Sequence, residues 1–191
     1  ALCICALPLP AAAAGNTIIV EDREKNNLGA ALEKAQNGDT IIVRGTGHVG
    51  AKDAASDSAP WVIDKAVTIK GEGADAKALC WTGGILLGAD VTFEDITISL
   101  PSSIRNAILA NGHSLVLRNI KKSSTDPHKI HLFCGGMTND KPYTGVTIPA
   151  PGSHGNITIE GCESFGNVYA GSISSDGKDN TFTGNATLTI I

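Results

Sequence analysis

Val67-Thr68-Ile69-Lys70-Gly71, Val91-Thr92-Phe93-Glu94-Asp95 and Leu115-Val116-Leu117-Arg118-Asn119 are three short segments rich in strand-forming residues. Their first positions, 67, 91 and 115, fall 24 residues apart twice. A strand-rich repeat with a period of about 20 to 50 residues is the mark of a solenoid. Such a chain builds its core by stacking repeats, which leaves a long side face free to bind something extended.

The same strand–turn–strand scheme extends outward from these segments. Trp61-Val62-Ile63 and Ala66-Val67-Thr68-Ile69 read as strands split by a turn at Asp64-Lys65. Gly71-Glu72-Gly73 and Gly88-Ala89-Asp90 read as further turns, around Ile85-Leu86-Leu87. Ile96-Thr97-Ile98, Ala107-Ile108-Leu109 and the Asn111-Gly112-His113 turn repeat the pattern. Upstream, Thr17-Ile18-Ile19-Val20 is a strand, and Asn26-Asn27 offers a helix cap. Leu28, Ala31, Leu32 and Ala35 then fall at helical spacing, and Asn37-Gly38 closes the helix ahead of the strand Asp39-Thr40-Ile41-Ile42-Val43. A short amphipathic helix at this position suits the open end of a solenoid, which needs a cap. Residues 44–60, polar and rich in Gly, Ala, Asp and Ser, read as a loop. A sandwich of hairpins also carries turn signals every 8–12 residues or so. The recurring interval, the repeated sub-pattern and the leading helix favour the solenoid.

Past residue 121 the regularity weakens. Residues 121–129 read as a polar loop, and Pro142, Pro149 and Pro151 make 138–154 an irregular excursion. His131-Leu132-Phe133-Cys134, residues 155–161, residues 167–173 and Asn185-Ala186-Thr187-Leu188-Thr189-Ile190-Ile191 read as later strands. Ile157 and Leu188 are 31 positions apart, so these repeats are larger. The sequence stops inside an apolar strand, so the expectation is a truncated domain that belongs to a longer chain.

The 191 residues suffice for one sizeable core. With 4 % aromatics that core must come from Val, Ile, Leu and Ala, while 22 glycines suit many tight turns. A net charge of −4 gives none of the basic footprint of a nucleic-acid binder. The apolar start through Pro10, followed by Ala11-Ala12-Ala13-Ala14-Gly15, reads as the tail of a secretory signal. It is too short and proline-broken for a membrane span, and no other stretch reaches span length. Cleavage near Ala14 or Gly15 would remove Cys3 and Cys5 and leave Cys80, Cys134 and Cys162. Three cysteines permit one disulfide at most, and their expected role is that of small buried hydrophobes.

The segment Leu28-Gly29-Ala30-Ala31-Leu32-Glu33-Lys34-Ala35-Gln36-Asn37-Gly38-Asp39-Thr40-Ile41-Ile42-Val43 resembles the cap helix and first strand of the pectin-lyase-like right-handed parallel β-helix superfamily. Val67-Thr68-Ile69-Lys70-Gly71-Glu72-Gly73, residues 91–99 and residues 107–119 resemble the repeats that follow. The likeness covers residues 17–122. Residues 155–172 look like repeats of large bacterial surface proteins of unassigned activity. The resemblance implies an all-β fold, a right-handed parallel β-helix (solenoid) with a short N-terminal capping α-helix. Residues 1–15 would be the signal remnant and residues 16–191 one β-helix domain. It implies no single activity, because the fold hosts many functions.

The enzymes of that superfamily are polysaccharide lyases, with acidic Ca²⁺ ligands and an Arg or Lys base, and hydrolases with clustered aspartates. The hydrolase motifs Asn-Thr-Asp, Asp-Asp and Gly-His-Gly are absent, and Ser153-His154-Gly155 is only a partial echo of the last. Asp90 falls in a turn. Glu94 and Asp95 are adjacent, which in a strand points them to opposite faces. Arg105 and Arg118 are candidate lyase bases whose ordinary role is outward and solvated. His128 and His131, with Asp126 nearby, fall on opposite faces of an extended segment, short of the three converging groups a metal needs. Lys121-Lys122 is too short for a charge patch. His48, His113 and His154 are scattered. No catalytic, cofactor-binding or metal-binding residue is assigned, and no cofactor is expected.

The expected function is therefore a non-catalytic module, secreted or at the cell surface, that is adhesive or binds glycans. Its partner would be a polysaccharide or a host or cell-surface glycan, not nucleic acid. A lyase or hydrolase and a structural stalk are the alternatives. The exposed face of the parallel sheet discriminates among them. Three carboxylates beside an Arg or Lys would favour the enzyme, an aromatic strip built from Trp61, Trp81, Tyr143 or Tyr169 would favour sugar binding, and a flat polar face would favour the stalk.

Overall fold

The computed structural model describes residues 15–22, 26–50, 59–100, 106–123, 129–138, 147, 149–163, 165–174 and 185–191. The fold is all-β, with every paired strand parallel and one short helix. The elements run β1 (Thr17–Glu21), α1 (Asn27–Lys34), β2 (Thr40–Arg44), β3 (Thr46–Val49), β4 (Trp61–Ile63), β5 (Val67–Gly71), β6 (Lys77–Cys80), β7 (Ile85–Leu87) and β8 (Val91–Glu94). They continue with β9 (Thr97–Ser99), β10 (Ala107–Leu109), β11 (Ser114–Arg118), β12 (Lys121–Lys122), β13 (His131–Phe133), β14 (Met137–Thr138), β15 (His154–Glu160), β16 (Val168–Tyr169), β17 (Ile173–Ser174) and β18 (Asn185–Ile190).

From β2 to β13 the chain visits three sheets in a fixed rotation. A seven-stranded sheet has the order β1-β2-β5-β8-β11-β15-β18. A four-stranded sheet takes β3, β6, β9 and β12, and a five-stranded sheet takes β4, β7, β10, β13 and β16. β14 and β17 form a separate pair. The interval that opens the sequence reading is a hydrogen-bonding register: Val67 pairs with Val91 and Val91 with Leu115. Ile157 pairs with Leu188, the wider interval.

Alternation along each strand sends every second side chain inward. In the seven-stranded sheet the inward row is Ile18, Ile41, Ile69, Phe93, Leu117, Ile159 and Ile190. From Ile41 to Leu117 these residues are 0 % exposed. They join Val49, Cys80 and Ile98 of the second sheet and Ile63, Ile85 and Ile108 of the third in one continuous cluster. A core drawn from all three sheets explains why β-branched aliphatics suffice where aromatics are scarce.

The helix closes one end of this core through Leu28, Ala31 and Leu32. Gly47 in β3 makes room for it, since a Cβ there would press on the Leu28 side chain. The expected cap at Asn26-Asn27 takes another form. Asn26 has φ 59° and makes no side-chain cap bond to the helix. Its Oδ1 accepts from Gly50 N–H at 3.1 Å, and Asn27 Oδ1 accepts from Leu28 and His48 N–H. The two asparagines therefore lash the helix to β3. The helix ends at Lys34 with an extended Ala35, so left-handed Gly38 belongs to the turn beyond it.

Two segments expected to be loops carry strands. β3 lies within 44–60 and β12 at the start of 121–129, and both complete the four-stranded sheet. Residues 167–173 hold not one strand but β16 and the start of β17, which join different sheets. The excursion before β15 is pinned through Asn111, 4 % exposed. Its Nδ2 donates to the Leu87 and Pro149 carbonyls. Among the described residues Cys80, Cys134 and Cys162 form no disulfide; the first two are buried, and burial pushes the Cys134 thiol up. The candidate signal, with Cys3 and Cys5, lies outside the described residues. Among the described residues no helix is long and apolar enough to cross a membrane.

Candidate functional site

The outer face of the seven-stranded sheet carries two in-register rows. The first is Thr17, Thr40, Thr68, Thr92, Val116, Thr158 and Thr189, six threonines in seven strands. Strand pairing repeats these hydroxyls about every 4.8 Å. The second row, two residues further along each strand, is Ile19, Ile42, Lys70, Glu94, Arg118 and Glu160.

The charges of the second row alternate in sign and pair with their neighbours. Lys70 Nζ lies 2.9 Å from Glu94 and 3.3 Å from Asp95. Arg118 Nε donates to Glu160 at 2.7 Å, and its Nη1 is 3.5 Å from Glu94. Arg44 and Glu72 form a further pair at 3.1 Å. The bond to Glu94 holds the Lys70 ammonium above its ordinary pKa, and the bond to Glu160 does the same for Arg118. The Asn119 amide, donating at 2.8 Å, and then Lys70 hold the Asp95 carboxyl below its ordinary value.

Glu94 and Asp95 do not point to opposite faces. β8 ends at Glu94, and Asp95 takes φ 53°, outside the extended region. That rotation brings both carboxylates to one ammonium. The sheet face thus gathers Glu94, Asp95 and Glu160 around Lys70 and Arg118, although sequence reasoning singled out only Glu94, Asp95 and Arg118. Of the two missing members, Lys70 carries a signal. Lys70, Glu94 and Arg118 are successive positions of the 24-residue interval, as are Asp95 and Asn119.

Beside the threonine row lies a shallow groove of about 170 Å³, lined by Thr68, Thr92, Ser114, Val116, Asp39 and Asp90 among others. Asp90 Oδ1 accepts from Ser114 N–H at 2.8 Å. Asp39, 3 % exposed, spends its two oxygens on the N–H groups of Asn16 and Gln36 and is a structural clasp.

The other candidates stay apart. Arg105, Asp126, His128 and Tyr143 lie outside the described residues. His131 Nδ1 accepts from Asn167 N–H. Tyr169 of β16 stacks on Phe133 at 4.6 Å and takes a bond from Asn167 Nδ2, Trp61 is buried in β4 and Trp81 follows β6, so the described Trp and Tyr residues form no strip along the seven-stranded sheet. Ser153 Oγ and His154 Nδ1 are 2.6 Å apart but exposed. His48 is 3.9 Å from Asp22, and among the described residues the buried His113 Nε2 has no hydrogen-bond partner. Among the described residues no three His, Cys, Asp or Glu converge to hold a metal ion. No family model, curated protein or solved structure matches the chain.

Proposed function

We propose that the chain is a right-handed parallel β-helix of the pectin-lyase-like kind, secreted or displayed at a cell surface, which binds an extended glycan without cleaving it. The observation that carries this reading is the in-register threonine row, flanked by a row of charges that pair with one another. The fixed rotation through three parallel sheets is compatible with a β-helix, and the apolar, alanine-rich start supports export. Hydroxyls repeated at strand spacing suit a polymer lying across the strands.

A second reading, a polysaccharide lyase, is favoured by one observation: three carboxylates beside a Lys and an Arg on the exposed sheet face. A base must give up its proton near the working pH, whereas Lys70 and Arg118 hold theirs more tightly than usual.

A glycan-array screen of the chain, together with a lyase assay on polygalacturonate with Ca²⁺, tests both. Array binding with no unsaturated product is the expected result. Eliminative cleavage that is lost in Arg118→Gln would establish the enzyme instead.

A further inference from the structure

We infer that the groove beside the threonine row takes a neutral, hydroxyl-rich glycan and rejects polyuronates; this rests on the reading of that face as a glycan-binding surface. Among the described residues the groove's charged lining consists of Asp39 and Asp90, with no cation. Asp39 is spent on backbone N–H groups, but Asp90 is exposed and gives one oxygen to Ser114, leaving the other for a ligand. A carboxylate accepts strong hydrogen bonds from sugar hydroxyls and repels a uronate.

The cations of the adjacent charged row do not rescue a polyanion. Lys70 is held by Glu94 and Asp95, and Arg118 by Glu160 and Glu94. With Asp90, Lys70 and Arg118 stand against four carboxylates, and the Arg44–Glu72 pair adds no net charge, so the field is negative where a polyuronate would lie. Thr68, Thr92 and Ser114 supply hydroxyls that both donate and accept, and the threonine methyls and Val116 offer apolar contact to the C–H face of a sugar ring. That combination recognises a neutral polyol.

The test is calorimetric titration of the intact chain with galactomannan oligosaccharides, mixed-linkage β-glucan oligosaccharides, oligogalacturonates with and without Ca²⁺, and chitosan oligomers, at low and high salt. Binding of a neutral oligosaccharide, insensitive to salt and weakened about tenfold or more in Thr68→Val/Thr92→Val, is the expected result. Valine keeps the β-branched shape, and Asp90→Asn, which keeps the acceptor for Ser114, is a second variant that must also weaken binding. A thermal melt of each variant guards against loss of the fold. Binding confined to oligogalacturonate or chitosan and suppressed by salt would overturn the neutral class while leaving the glycan-binding reading standing. Neutral binding unchanged in both variants would overturn the site, and no binding to any sugar would remove the inference and that reading together.

Discussion

Asp95 shows how much one residue's backbone decides. Its φ of 53° turns its carboxylate off the strand and onto Lys70 and Asn119. Asparagine tolerates that conformation and alanine does not, so Asp95→Ala is expected to cost about 1 kcal/mol more than Asp95→Asn. Paired denaturant melts of the two variants check this. The carboxyl's pKa is depressed in the fold, so its stabilisation is fully present above the ordinary value of 3.8 and is lost as the pH falls through the depressed one. Asp95→Asn should flatten the acid limb of a melting-temperature profile and leave neutral pH little changed, since the group is well exposed. An acid limb identical in both proteins would sink the assignment. Gly71, stacked against this turn, has no room for a side chain. A Cβ there would collide with the Asp95 carbonyl and sit 2.8 Å from Ala76 Cβ. Gly71→Ala is therefore expected to destabilise by about 1–3 kcal/mol, the range for overpacking, although glycine-to-alanine exchanges elsewhere often stabilise.

At the scale of the element, the central strands depend on their inward rows. Phe93 is 0 % exposed and in register between Ile69 and Leu117. Phe93→Ala should lower the unfolding free energy by about 3–5 kcal/mol, a cavity that neighbouring aliphatics cannot close. A midpoint shift equivalent to less than about 1 kcal/mol would mean the row is not packed as described. Rows of this kind made the seven-stranded sheet legible in the sequence, because each strand from β1 to β15 turns two large apolar residues toward the core. The four-stranded sheet was legible only at β9, read as Ile96-Thr97-Ile98. β3 sends Gly47 and Val49 inward and β6 sends Ala78 and Cys80, side chains too small to announce a strand among Gly, Ala and Lys. The charged row was half legible. Lys70, Glu94 and Arg118 share the 24-residue interval, but Glu160 stands 42 residues from Arg118 because the excursion before β15 intervenes. The joint use of Glu94 and Asp95 was hidden altogether, since it depends on a left-handed residue where a strand was assumed to continue.

Across the whole molecule the two edges of the seven-stranded sheet differ. At one edge β1 is partly covered, with Val20 only 4 % exposed and α1 packed nearby. At the other, all six residues of β18 are exposed. Leu188 and Ile190 stand in register with Ile157 and Ile159 yet are 45 % and 71 % exposed, and Ile191 beside them is 74 % exposed. Among the described residues β18 pairs on one side alone, and a six-residue strand with apolar side chains and an open row of N–H and C=O groups is a template for a further strand. A second copy of the 191-residue chain can supply that strand. Sedimentation velocity across a concentration series should therefore show self-association, which Leu188→Lys/Ile190→Lys reduces by placing charge on the edge. The double variant should melt at nearly the same temperature as the parent, because these side chains bury little within one molecule. A chain that stays monomeric at every concentration, or a lysine variant that associates as strongly as the parent, would show that β18 is not the surface through which copies meet.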